Sequence, residues 1–208
     1  MKNFLILAAS FGIFVSCSQK NQHTHSKGFF DAFYGRDAYE KLFDQQTQED
    51  RLSSNFDMTA VASVTYWSSE LAEKYASALI EDYLLNEVEA AATKKEQAAE
   101  ANDFETFIVS LITRNTSWGN LGTRNSLWSA HAQTEKMPER ITAYSIQKID
   151  FGNEKSRQYI KTMNRFGETY KVRFKKTDLP PGESTIRFFL SGPLGTMAMS
   201  FERPSATR

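Results

Sequence analysis

The stretch from Thr113 to Ser126 carries two arginines, three asparagines and Trp118, with two glycines among them. Aromatic and amide side chains together suit a sugar or a peptide-like ligand, through stacking and oriented hydrogen bonds. Arg114, Asn115, Trp118, Asn120 and Arg124 are therefore the candidate ligand residues. The competing reading is structural: Trp118 plugs the end of the fold while asparagine and glycine shape the turn. A second set is cationic. Lys171, Arg173, Lys175 and Arg187 would form a basic face if the two strands carrying them were neighbours. Such a face suits anionic head groups, a cell-wall polymer or an acidic partner, and its bland counterpart is the solvated side of a sheet.

Catalytic signatures are absent from the sequence. There is no Gly-x-Ser-x-Gly elbow, no His-Glu-x-x-His helix, no phosphate-binding glycine loop and no dinucleotide fingerprint. No catalytic residue is assigned, although paired carboxylates leave little trace in sequence. His23 and His25 are separated by one residue. Two imidazoles on a tether do not supply the three or four fixed ligands of a stable metal site, so neither metal nor cofactor is expected.

Cys17 is the one cysteine of the chain. It follows Lys2, an apolar run from Phe4 to Val15 and the small residue Ser16. That is the layout of a secretory signal, with the cysteine where cleavage would fall. It resembles a bacterial lipoprotein signal, although Phe14 stands where leucine is usual. A transmembrane span needs about 20 apolar residues, and this run is too short. The expectation is a signal peptide over 1–16, lipid on Cys17 and a flexible tether over 17–27. The membrane is then reached through that lipid. Ser18, rather than aspartate, is compatible with outer-membrane sorting.

Charge is balanced, with 25 basic and 25 acidic side chains, which argues against nucleic acid as a partner. Sixteen phenylalanines, eight tyrosines and three tryptophans can supply a core without disulfides.

These residues must be positioned by one globular domain over 28–208. Phe30, Phe33, Tyr39, Leu42 and Phe43 recur at helical spacing, which predicts helix within 28–45. The polar stretch from Gln45 to Asn55 reads as a loop or a frayed helix end. Strand alternation covers 56–67. Helical spacing returns over 68–101, and its Ala/Lys/Glu-rich second half offers a poor apolar face. From 104 to 203 the chain reads as strands. Candidates are Phe107 to Ile112, Leu127 to Ala132, Ile141 to Ile149, Tyr170 to Lys175 and Ile186 to Leu190, with a terminal hairpin through Gly192-Pro193-Leu194-Gly195. Short strands separated by turns predict a mainly β chain, an antiparallel β-sandwich with a helical insertion after the first strand.

In Asp37-Ala-Tyr-Glu-Lys-Leu-Phe, Leu71-Ala-Glu-Lys-Tyr, Phe107-Ile-Val-Ser-Leu, Asn125-Ser-Leu-Trp, Tyr170-Lys-Val-Arg-Phe and Leu190-Ser-Gly-Pro-Leu-Gly the chain resembles a group of uncharacterised lipoproteins of Gram-negative bacteria. The resemblance implies an envelope location and a strand-rich fold, and brings no catalytic residues. The expected function is a membrane-anchored, non-catalytic binding or scaffolding module with an envelope protein or polysaccharide as partner. An envelope hydrolase using dispersed carboxylates and an accessory subunit of a transport or assembly system are the alternatives.

Overall fold

The computed structural model describes residues 36–54, 57–179 and 184–203. The expected signal, the tether with Cys17, and the turn at Pro180-Pro181-Gly182 lie outside the described residues.

Strand alternation builds two antiparallel sheets. In the first, β1 (Thr47–Ser54), β2 (Asp57–Trp67), β3 (Phe104–Thr113), β7 (Glu168–Lys175) and β6 (Ser145–Ile149) lie side by side in that order. In the second the order is β5 (Ile141–Thr142), β4 (Ser129–Thr134), β8 (Thr185–Gly192) and β9 (Gly195–Glu202). The chain is thus mostly β, a sandwich-like pair of antiparallel sheets with a few helices. Every second residue points into the space between the sheets. Val64, Phe107, Val172, Ile186, Phe188 and Met197 are all fully enclosed there. Phe107 is the hub: its ring centroid lies 5.0 Å from Phe188, 5.2 Å from Tyr66 and 5.5 Å from Phe201.

A second apolar cluster covers the other face of the first sheet. It joins Tyr39 and Phe43 of α1 (Arg36–Gln45), Leu71 and Ala72 of α2 (Ser69–Asp82), and Tyr159 at the end of α4 (Glu154–Tyr159) to Ile108 of β3. Strand β3 is therefore buried on both faces, which is why it reads as a continuous apolar run. Ser68 starts α2 by accepting the Leu71 N–H at 3.2 Å. A capping box between Asn86 and Glu89 starts α3 (Glu87–Asp103) as a separate helix with no buried residue.

Three expectations need correction. Residues 47–54 form an edge strand, not a loop. Their polarity hid it, yet that polarity has a use: Asp50 accepts the Ala198 N–H at 2.9 Å, and the Gln48 side chain bonds both the N–H and the carbonyl of Ser200. Side chains of β1 thus occupy the free edge of β9. The stretch 141–149 is not one strand. It leaves the second sheet at Ala143, whose N–H reaches Ala130 O, and joins the first at Tyr144, whose N–H reaches Arg173 O. Helix α4 interrupts the expected strand region; Asn153 caps it by accepting the Ser156 N–H at 3.1 Å.

Candidate functional site

Because β3 belongs to the first sheet and β4 to the second, the segment between them has to cross one end of the sandwich. Local polar chemistry shapes the crossing. The Asn115 side chain accepts the Ser117 N–H at 3.0 Å and starts a short 3₁₀ turn over Thr116–Gly119. Two buried aromatic donors then pin that turn. Trp128 Nε1 donates to Trp118 O at 2.7 Å, and the Tyr170 hydroxyl donates to Gly119 O at 2.8 Å. Burial holds the Tyr170 phenol above its ordinary pKa, so it stays protonated and able to donate.

The candidate ligand residues divide. Arg114 is tied to Asp57 at 2.9 Å, an exposed pair of small energetic worth, and Asn115 is spent on the turn. Trp118 is half-buried; the residues that plug the end of the sandwich are Leu121 and Trp128. Asn120 and Arg124 line clefts. One cleft, of 340 Å³, lies between the turn and the ends of β6 and β7, walled by Thr116, Asn120, Thr123, Lys148, Glu168 and Tyr170. The other, of 380 Å³, runs from Arg124 and Ser126 to Tyr144 and Ser145. They meet at Gly122, Thr123 and Ile146. A small hollow of 80 Å³ adjoins the first beside Phe166 and Gly167. There Gly167 permits a close approach: a Cβ would fall 2.6 Å from Leu111 O.

Electrostatically the first cleft is nearly neutral. Lys148 Nζ sits 2.6 Å from Glu168 Oε2, and that hydrogen bond raises the lysine pKa. Asn120 Oδ1 is enclosed and accepts no hydrogen bond among the described residues. A buried acceptor left without a donor costs about 1–3 kcal/mol.

The four sequence-selected cations do not form one face, because β7 and β8 belong to different sheets. Lys171 and Arg173 approach Glu100 of α3 at 3.8 and 3.5 Å, and Arg173 Nε donates to Ser145 Oγ at 2.8 Å. Lys175 lies 4.3 Å over the Tyr144 ring. Arg187 stands on the outer face of the second sheet, 5.6 Å over Phe189.

Sequence reasoning missed Lys148 and Glu168 as cleft residues. Their signal was parity. Lys148 shares a strand face with Ile146, and Glu168 shares one with Tyr170, so each is a charge on an otherwise inward-facing row. It also missed Glu105, which is 3% exposed and joined to the Tyr66 hydroxyl at 2.6 Å and to Arg203 Nε at 3.1 Å. This pair closes the opposite end of the sandwich.

Among the described residues no cluster of His, Cys, Asp and Glu could hold a metal ion, and no helix is long and apolar enough to cross a membrane. Compared with known proteins, the chain matches no family model, no curated protein and no solved structure.

Proposed function

We propose that this chain is an envelope lipoprotein, anchored through lipid on Cys17, whose sandwich domain binds a neutral, hydrogen-bonding ligand at the end crossed by residues 114–128. A segment of envelope polysaccharide is the ligand class that fits this chemistry. The anchor rests on the sequence alone: an apolar run too short to span a membrane, ending in the one cysteine. The binding reading is carried by one observation. A loop of small polar residues, pinned by Trp128 and Tyr170, shapes a 340 Å³ cleft lined by Thr116, Ser117, Asn120 and Thr123. That volume lies at the lower end of small-ligand sites. Thr116 and Thr123 add hydroxyls, and Lys148 is already neutralised by Glu168, so the wall favours an uncharged, hydroxyl-rich partner over an anion. Glu168 is the one carboxylate among the residues lining the three clefts, whereas glycoside hydrolysis uses two.

The test has two arms. Protein from its native host is analysed by intact mass and membrane partition beside a Cys17→Ala variant; acylated wild type and a soluble or unprocessed variant are expected. The purified protein is then titrated calorimetrically with soluble glycan fragments released from the cell wall, beside Asn120→Ala and Thr123→Val. Binding that each variant weakens about tenfold supports the cleft, a loss typical of one or two hydrogen bonds. Binding indifferent to both variants, or none at millimolar fragment, overturns it. An unlipidated wild type overturns the anchor alone.

A further inference from the structure

Arg187 was singled out for a face it does not join, and the structure gives it another companion. On the outer side of the second sheet, β8 presents Arg187, Phe189 and Ser191. Register places His131 of β4 and Ala198 of β9 on either side of Phe189, and Thr142 of β5 beyond His131. Phe189 would stand in solvent on such a face, yet it is only 5% exposed. Arginines cover it. The guanidinium carbon of Arg140 lies 4.3 Å from the ring centroid, and that of Arg187 lies 5.6 Å from it. One ring thus draws both guanidiniums to within about 10 Å of each other, each gaining a cation–π attraction.

Among the described residues no carboxylate neutralises them. Four arginines elsewhere have carboxylates, Arg51 with Glu49, Arg114 with Asp57, Arg173 with Glu100 and Arg203 with Glu105, while Arg157 and Arg165 each lie over a single ring without one among these residues. Among the described residues neither Arg140 nor Arg187 forms an ion pair, although Glu139 adjoins one in sequence and Glu202 follows Ser200 on the face of the other. Among the described residues Arg140 Nη1 gives a single long bond, 3.3 Å, to Ser191 Oγ. Ser191 in turn receives the Thr196 hydroxyl at 3.2 Å, so hydroxyls border the pair. Two like charges drawn to one ring repel, and an anion shared between their planar donor forks removes that repulsion.

We propose that this face binds a phosphate group, held between the guanidiniums of Arg140 and Arg187 with Ser191 and Thr196 beside it. Tetrahedral oxygens can face two forks at once, and a dianion matches two cations where a carboxylate matches one. The site is separate from the clefts at the end of the sandwich, and stands whether or not those bind a glycan. The phosphate comes either from a lipid headgroup or from a soluble molecule.

His131 supplies the readout, because it lies beside Phe189 in register and bonds Ser129 Oγ at 2.9 Å. The imidazole resonances of the full-length mature protein in dodecyl maltoside micelles are followed by NMR. Inorganic phosphate is added in one arm, and phosphatidic acid, a phosphomonoester lipid, is doped into the micelles in another. Sodium acetate at matched ionic strength is the control salt. Phosphate is expected to shift the His131 resonances saturably, and acetate is not. Arg140→Gln and Arg187→Gln should each weaken the response about tenfold, the loss of one charge-assisted contact. Arg157→Gln removes a guanidinium that lies 5.5 Å over Phe151 on the helical side, and should leave the response intact. Saturation by the doped lipid but not by free phosphate assigns a headgroup; saturation by free phosphate assigns a soluble ligand. An absent response in both arms, an equal response to acetate, or a response that survives both arginine variants overturns the proposal. The wild-type dispersion of amide resonances in each variant establishes that its fold is kept.

Discussion

Replacing Tyr170 with phenylalanine removes one oxygen and tests whether the loop crossing is held as described. Tyr170 is 3% exposed, and its hydroxyl donates to Gly119 O at 2.8 Å. The ring stays, so the core around Val109 and Val172 keeps its packing. Gly119 is buried, and its carbonyl loses this donor. Deleting one partner of a buried hydrogen bond costs about 1–3 kcal/mol, more than the bond's net worth, because the abandoned group remains desolvated. The middle of that range is about 2 kcal/mol. For a domain of this length each kcal/mol lowers Tm by about 2–4 °C, so a fall of about 4–8 °C is expected by calorimetry. Hydrogen exchange should locate the loss, with amides of the loop exchanging faster while those of Phe107 and Val109 fall only by the global change. Trp128 Nε1 holds the preceding carbonyl, that of Trp118, at 2.7 Å. Groups in one network couple, so Trp128→Phe should cost less in the Tyr170→Phe background than alone. An unchanged Tm with unchanged loop exchange would refute the claim that these two donors set the crossing.

Three further outcomes are expected. Leu84 adopts φ 49° just past α2, with the Leu85 N–H reaching Ile80 O at 3.0 Å, and it is 88% exposed. A left-handed residue with a Cβ is strained, so Leu84→Gly should stabilise by about 0.5–1 kcal/mol in urea denaturation, after the extra entropy glycine loses on folding. Glu105→Ala breaks a buried ion pair and should cost about 3–5 kcal/mol, whereas Glu49→Ala, at an exposed pair, should cost less than about 1 kcal/mol in the same assay. The His131 pKa is held below 6.5 by burial first and by the Arg140 charge second. The unfolded chain therefore takes that proton at the higher pH. Its contribution to stability is full above about pH 6.5 and is lost as pH falls through the folded value. An NMR titration should place the pKa below that of a free imidazole, and Arg140→Gln should raise it only part of the way.

The sandwich was legible where a strand has one face on the core and one facing solvent. Tyr170, Val172 and Phe174 are buried while Lys171 and Arg173 are not, as their alternation required. The hairpin at Gly192 and Gly195 was legible from its turn residues and pairs those two glycines. Strand β1 was not legible, because an edge strand whose side chains bond a neighbouring edge carries polar residues at both parities. Helix α4 was too short for periodicity to show. The bend at Ala143 and Tyr144 leaves no breaker in the sequence, since the strand changes sheets without a turn. The ligand loop stood out through its asparagines, glycines and Trp118. Its wall did not, because Lys148 and Glu168 lie on distant strands. Arg140 lacked any local signal, since only the register of β8 brings Phe189 beside it.

Which surfaces can meet a partner follows from which edges are closed. The seam between β1 and β9 is filled by Gln48 and Asp50. The opposite seam is closed covalently, because the chain itself passes from β5 to β6. Helices cover the outer face of the first sheet through Tyr39, Leu71 and Tyr159. The end nearest Glu105 is sealed by its bonds to Tyr66 and Arg203. Among the described residues of the sandwich itself, two regions remain: the end crossed by residues 114–128, and the outer face of the second sheet. The first is neutral and lined by Asn120, while the second is cationic, with Arg140 and Arg187 outside any ion pair among the described residues. One molecule bearing both a sugar and a phosphate would have to span from the clefts to Phe189, and residues 124–129 connect them along the surface. A glycan that binds the cleft without moving His131, and a phosphate that moves His131 without protecting the loop amides, would establish two independent sites. Reciprocal tightening of the two ligands would instead make them halves of one.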